Sequence, residues 1–240
     1  NSQAKGPYIL TLERELFSMY SNRLEKKLIK ILHNTHNKEC YSGPTSLLFN
    51  KSHEMMEKFL PEKKIKYILE IGAGEHPHHE YIKDNYKRYY CLENSKLTIK
   101  FLTKKYPKIK TFYSENGLIP FKKKFDRIIL SHSLEHIYKP EKLLKNLYKS
   151  LNKGGVISVA IPVDPGILYG LLRNVKKKFF SNYKISEKEY DYINAIEHIN
   201  SYDNNKAIIK YLFKNYKQYY YPFNFLPSYL NIFSFFQIYK

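Results

Sequence analysis

Between residues 66 and 162 the chain alternates short apolar runs with polar, amphipathic stretches, the runs reading "YILEI", "YYCLE", "IKTFY", "FDRIILS" and "GGVISVAIP". Short apolar runs bounded by turn residues belong to strands covered on both faces, and parallel neighbours need helical crossovers to join them. A mostly parallel sheet with helices on both sides is therefore the expected core. Towards the carboxyl end, "QYYYPF" and "LNIFSFFQIY" flank a short proline-containing connection. That pattern predicts an antiparallel hairpin closing the sheet.

Ahead of the core, Leu12, Leu16, Tyr20, Leu24, Leu28, Ile31 and Leu32 recur at helical spacing, with Thr11 placed to cap a helix over 11–33. A second helix is expected after Pro44, carrying Leu47, Leu48, Met55, Met56, Phe59 and Leu60 until Pro61 stops it. These helices make residues 1–62 an N-terminal cap on a core of residues 63–161. Residues 162–200 break the strand-and-helix rhythm with "PVDPGILYGLLRN", a lysine run and "SEKEYDYINAIEH". They read as an insertion on the substrate side, because long segments after a strand's carboxyl end commonly carry selectivity. Residues 201–240 then supply a helix near 203–214 and the hairpin.

The formal charge is +19, but the lysines are spread and the longest runs are Lys122–Lys124 and Lys176–Lys178. The expected reading is a basic surface set by composition. Nucleic acid and an anionic membrane surface remain as less favoured partners, and the sequence is silent on oligomeric state. No run approaches the roughly 18 apolar residues of a spanning helix, and the start has no signal-peptide pattern, so the cytoplasm is the expected location. Cys40 and Cys91 are far apart and are expected to be buried free thiols.

The stretch "ILEIGAGEHPHHEYI" follows the first strand into a glycine turn. Counted as G-x-G-x-x-G from Gly72, the sixth position is Pro77, so the dinucleotide fingerprint fails. A Gly-Lys pair that would cradle phosphate is also missing. What remains is a carboxylate, Glu70, just before Gly72-Ala73-Gly74. It would repel a pyrophosphate and suit a ligand bearing an amine and a sulfonium, as in S-adenosylmethionine. Glu93, ending "YYCLE", is placed to accept from two vicinal ribose hydroxyls, and Glu115-Asn116 could hold an adenine edge.

These pieces, with "YYCLENS" and "FYSENGLIPFKKKFDRIILSHSLEHIYKPEKLLKNLYKSLNKGGVISVAIP", resemble the class I S-adenosylmethionine-dependent methyltransferases of the branch with LEH and GG motifs. The resemblance implies an α/β, Rossmann-like fold: a mostly parallel seven-stranded sheet, a C-terminal antiparallel hairpin and the N-terminal helical cap. It implies that Glu70, Gly72, Ala73 and Gly74 line the methionine end of the cofactor. Glu93 and Asn94 would serve the ribose, Glu115 and Asn116 the adenine, and Ser131 and His132 would border the cofactor. His76 stands where many members carry a third glycine.

His76, His78 and His79 could look like a metal site, but neighbouring rings on one turn diverge and no cysteine is near. No metal is expected there, and the three are read as lying at a helix start. Methyl transfer needs in-line approach and, for a hydroxyl acceptor, removal of a proton. Candidate acceptor-side residues at strand ends and in the insertion are His198, His132, His136 and Asp164, the last of which could instead cap a helix near Gly166. Base methylation of the Asn/Asp-Pro-Pro type is disfavoured because that position reads Ser131-His132-Ser133-Leu134. The expected activity is methyl transfer to an oxygen or nitrogen of a small molecule, such as a sugar, lipid precursor or secondary metabolite. The alternatives are RNA methylation over the basic surface and cofactor binding without catalysis.

Overall fold

The computed structural model describes residues 45–62, 64–115, 117–181 and 185–240. The expected helix over 11–33, Cys40 and Asn116 lie outside them. Seven strands, β1 (Tyr67–Ile71), β2 (Arg88–Glu93), β3 (Ile109–Tyr113), β4 (Phe125–Ser131), β5 (Leu151–Pro162), β6 (Tyr216–Tyr221) and β7 (Phe233–Tyr239), form one sheet. Their order is β3, β2, β1, β4, β5, β7, β6. The first five are mutually parallel, and β7 runs antiparallel to both β5 and β6. The C-terminal hairpin therefore docks through its second strand.

Six helices are described: α1 (Ser46–Lys58), α2 (Lys96–Lys105), α3 (Pro140–Lys149), α4 (Ile167–Ser181), α5 (Glu187–Glu197) and α6 (Tyr202–Leu212). Their starts are written in the sequence. Ser95 and Ser201 accept from the backbone N–H groups of Thr98 and Asn204, Ser186 and Glu189 close a capping box, and Pro140 opens α3. The strand period of two sorts the central strands. Leu69, Leu130, Ile157 and Val159 face α3 and α6, while Ile68, Ile129 and Ala160 face α1 and α2. Asp126 explains the "FD" that opens β4: its carboxylate accepts from the N–H groups of Lys66 and Tyr67 and from Asn152 Nδ2, tying the entry of β1 to β4 and β5. Among the described residues no helix is long and apolar enough to cross a membrane.

The helix expected after β1 is corrected to one 3-10 turn, His78–Tyr81. Pro77 and the Glu70 carboxylate, which accepts the His78 N–H at 3.1 and 3.2 Å, are both compatible with a helix start, but the backbone is already extended at Ile82 (ψ 116°) and the turn ends there. In α1 the buried stripe is Phe49, Ser52, His53 and Met56, half of it polar, whereas Leu47 is 76% exposed.

Those polar residues belong to a network crossing the sheet face. Arg127, a fully buried residue of β4, donates from Nη1 to Glu57 Oε1 at 2.5 Å and from Nε to Ser158 Oγ at 3.0 Å. Ser158 Oγ donates to Gln237 Oε1, and Gln237 Nε2 donates back to the Met56 carbonyl. The same Glu57 oxygen lies 2.7 Å from His78 Nε2, and His78 Nδ1 lies 2.7 Å from His53 Nδ1. A carboxylate can only accept, so His78 carries its proton on Nε2 and receives the His53 Nδ1–H. Both rings are therefore neutral. Burial holds His53 well below, and His78 below, the ordinary histidine range.

The sign of the pH effect follows. In the unfolded chain both rings titrate near ~6.5, so the stability they contribute is complete above about pH 6.5 and is lost as the pH falls below it. Glu70 and Glu93 act oppositely: burial pushes them up to about 8 and about 7, so what they contribute is greatest in acid and is lost as the pH rises. Comparing the chain with its His53→Phe/His78→Gln variant cancels the carboxylates. Urea unfolding from about pH 7.5 to about pH 5.5 should show the unsubstituted chain losing more stability than the variant.

Candidate cofactor crevice and acceptor cavity

The carboxyl ends of β1, β2, β4 and β5 meet at one edge of the sheet, and the turn after β1 crosses it. Gly72 takes φ +69°, gives its N–H to the Leu92 carbonyl at 2.9 Å, and a Cβ there would come within 3.0 Å of Ser133 Cβ. Gly74, at φ +59°, has open space where a Cβ would stand. Only glycine meets both demands without strain. The turn thus passes close to the segment after β4 and leaves room above Gly74.

Glu93 at the end of β2 grips this turn, its Oε1 accepting the Gly74 N–H at 2.7 Å. It is 6% exposed. Burial pushes its carboxyl up to about 7, and the N–H groups of Gly74, Ala73 and Asn94 pull the other way. Glu70 is more deeply committed: 1% exposed, it accepts from the His78 N–H and from Tyr89 OH at 2.7 Å. It holds the turn from below rather than offering an open oxygen to a ligand. Asn94 is exposed, as is Glu115, which accepts from Tyr113 OH at 2.8 Å. Among the described residues Ser131 Oγ and Ser133 Oγ are buried with no hydrogen-bond partner beside the glycine turn. A carboxylate, an open glycine turn and two unspent hydroxyls fit the donors and acceptors of S-adenosylmethionine.

Beyond Ser133 the edge opens into a cavity of about 450 Å³, walled in part by Glu135, Asp164, Arg173, Asn194, His198 and Asn205. Its walls hold polar atoms that nothing satisfies. Both side-chain atoms of Asn205, Oε2 of Glu135 and Nε of Arg173 are buried without a partner among the described residues. Asp164 receives Arg173 Nη1 at 3.0 and 3.2 Å and lies 3.7 Å from His198 Nδ1. Burial raises the Asp164 carboxyl, but His198 and Arg173 outweigh it and hold the group below the usual carboxylate range. Burial also pushes Glu135 up to about 7.

Of the acceptor-side candidates, the structure gathers His136, His198 and Asp164: the first two rings meet edge to face at 4.9 Å. His132 is placed apart from them. It sits at φ +51°, its Nε2 2.8 Å from Ser52 Oγ and its ring against Phe49 and Phe233. The cap reading of Asp164 gives way to its pairing with Arg173. His76 and His79 stay half-buried, while His78 is consumed by the network under α1. Sequence reasoning missed Glu135, Arg173 and Asn205. Asn205 had a signal, since it occupies the buried stripe Tyr202, Asn205, Ile209 of α6 where an apolar residue is expected.

The sequence of residues 69–159 matches the family described as a methyltransferase domain. No curated protein sequence matches the chain. Among solved structures, the plantazolicin methyltransferase BpumL in complex with a pentazolic desmethylPZN analogue and SAH superimposes with a TM-score of 0.63 at 16% identity, over 93% of each chain. A SAM-dependent methyltransferase from Thermotoga maritima, described as a possible histamine N-methyltransferase, gives a TM-score of 0.61 at 17% identity, over 89% of this chain and 99% of that one. At these identities the likeness is one of fold: residues 69–159 match a methyltransferase domain, within a fold shared with S-adenosylmethionine-dependent methyltransferases.

Proposed function

We propose that the chain transfers the methyl group of S-adenosylmethionine to an oxygen or nitrogen of a small polar molecule seated in the cavity that Glu135, Asp164, Arg173, His198 and Asn205 line. The observation that carries this reading is a cavity of about 450 Å³ whose buried amide, carboxylate and guanidinium atoms lack partners. Unpaired buried polar atoms cost stability unless a ligand meets them, and the volume suits a small molecule. The names of two structural neighbours, a plantazolicin and a possible histamine methyltransferase, agree with an acceptor of this kind.

In this reading Gly72, Ala73 and Gly74 let the cofactor approach the backbone, and Glu93 and Asn94 serve its ribose. Glu115 and Asn116 serve the adenine, while Ser131 borders the methionine end. Residues 162–200 act as the substrate-side insertion, contributing Asp164, Arg173, Asn194 and His198 to the acceptor wall. Asp164 orients the His198 ring, and His136 completes the polar rim. Together they position the acceptor atom in line with the sulfonium methyl and receive its proton.

Two outcomes test this. Because Glu93 must be ionised to accept from both ribose hydroxyls and titrates at about 7, calorimetric affinity for S-adenosylmethionine should rise from about pH 6 to about pH 8. Glu93→Gln should flatten that rise, and Glu93→Ala should weaken binding at the upper pH by about 1–3 kcal/mol. In a cofactor-consumption screen, small hydroxylated or amine acceptors should support turnover that Asn205→Leu lowers through the acceptor's KM. Turnover confined to RNA would overturn the small-molecule reading.

A further inference from the structure

The cavity rim holds a second pattern. Glu135, His136 and His198 each offer a donor atom, one carboxylate oxygen and two imidazole nitrogens, and these lie within 4.8 Å of one another. The segments that carry them are stitched together. His136 Nδ1 lies 2.8 Å from the Glu197 carbonyl, the Asn200 N–H donates to the Glu135 carbonyl at 3.1 Å, and Asn200 Nδ2 donates to the Ile137 carbonyl at 2.5 Å.

The first of these bonds fixes a proton, because a carbonyl can only accept. His136 carries its hydrogen on Nδ1 and its lone pair on Nε2. The Asp164 carboxylate, 3.7 Å from His198 Nδ1, biases the second imidazole the same way. Outer acceptors of this sort, a backbone carbonyl on one ring and a carboxylate on the other, orient and strengthen imidazoles as metal ligands. The third donor fits as well: Glu135 is 4% exposed, and its Oε2 has no hydrogen-bond partner at the cavity wall.

We propose that Glu135, His136 and His198 form a binding site for one divalent transition-metal ion at the mouth of the acceptor cavity. The inference rests on reading that cavity as the acceptor site. Two imidazoles and one carboxylate suit ions of the zinc, iron or cobalt type over magnesium or calcium, which favour oxygen-only sets. Three protein donors leave at least one coordination position open, the arrangement of sites that bind reactants. With both imidazole lone pairs on the ion, an acceptor hydroxyl bound there gives its proton to solvent in place of His198. The oxygen lone pair then forms the new O–C bond as the C–S bond breaks, its electron pair staying on sulfur, to yield the methyl ether and S-adenosylhomocysteine. Although His136 and His198 each stand out as candidates in the sequence, they lie 62 residues apart, so no local spacing announces that they share a site.

Titration of the chelator-stripped full chain with cobalt(II), followed by visible absorption and calorimetry, decides the matter. The expected result is one ion per chain, displaced by zinc(II). Glu135→Gln and His198→Gln should each weaken binding at least about tenfold. A His76→Gln/His79→Gln variant should bind cobalt unchanged, and S-adenosylmethionine should bind the Glu135 and His198 variants as it binds the unsubstituted chain, which shows that they fold. No stoichiometric binding, or binding that survives both ligand substitutions, overturns the inference. Metal-independent turnover of a small acceptor would defeat it while leaving the proposed function standing.

Discussion

One carboxylate oxygen, Glu57 Oε1, lies between a guanidinium rising from the sheet and an imidazole descending from the turn after the glycine loop, with Arg127 Nη1 at 2.5 Å and His78 Nε2 at 2.7 Å. Arg127 is wholly buried, so without that carboxylate it would leave an uncompensated charge at a cost of about 3–5 kcal/mol. The contact therefore fixes where α1 lies on the sheet. It also fixes His78, whose backbone N–H holds Glu70, whose second partner is Tyr89 of β2. Helix, turn and three strands are set by one chain of polar contacts under the cofactor loop.

The two halves of the site inherit that rigidity differently. On the cofactor side the carboxylates already have partners in the protein, Glu93 gripping the turn that it helps to open, while the hydroxyls of Ser131 and Ser133 have none among the described residues. In the cavity proposed for the acceptor, Asn205, Glu135 and Arg173 hold buried atoms without a partner among the described residues.

Much of the fold was legible because it is local or periodic. "YILEI", "FDRIILS" and "GGVISVAIP" mark strands covered on both faces, and serines and a proline mark the starts of α2, α3, α5 and α6. The failures have one cause, contacts between residues far apart in the chain. Arg127 reads as an interruption of an apolar strand until Glu57, 70 residues earlier, is beside it. The helix expected after β1 yields to a short turn that ends at Ile82, whose extended backbone no local pattern announces. Glu93 and the glycine turn could be nominated from spacing. Asn205 left one trace, a polar residue in an otherwise apolar helical stripe, and Arg173 left none, since its partner Asp164 precedes the helix that carries it.

At the centre of this account is Glu93, the carboxylate at the end of β2, which when ionised disfavours a pyrophosphate beside the glycine turn and suits the methyl donor. Competition is the most direct measurement, with S-adenosylhomocysteine bound to the full chain and challenged in turn by S-adenosylmethionine and by NAD. The account predicts that S-adenosylmethionine displaces the bound product at a single site while NAD leaves it in place. Displacement by NAD, or failure of S-adenosylmethionine to compete, would contradict it.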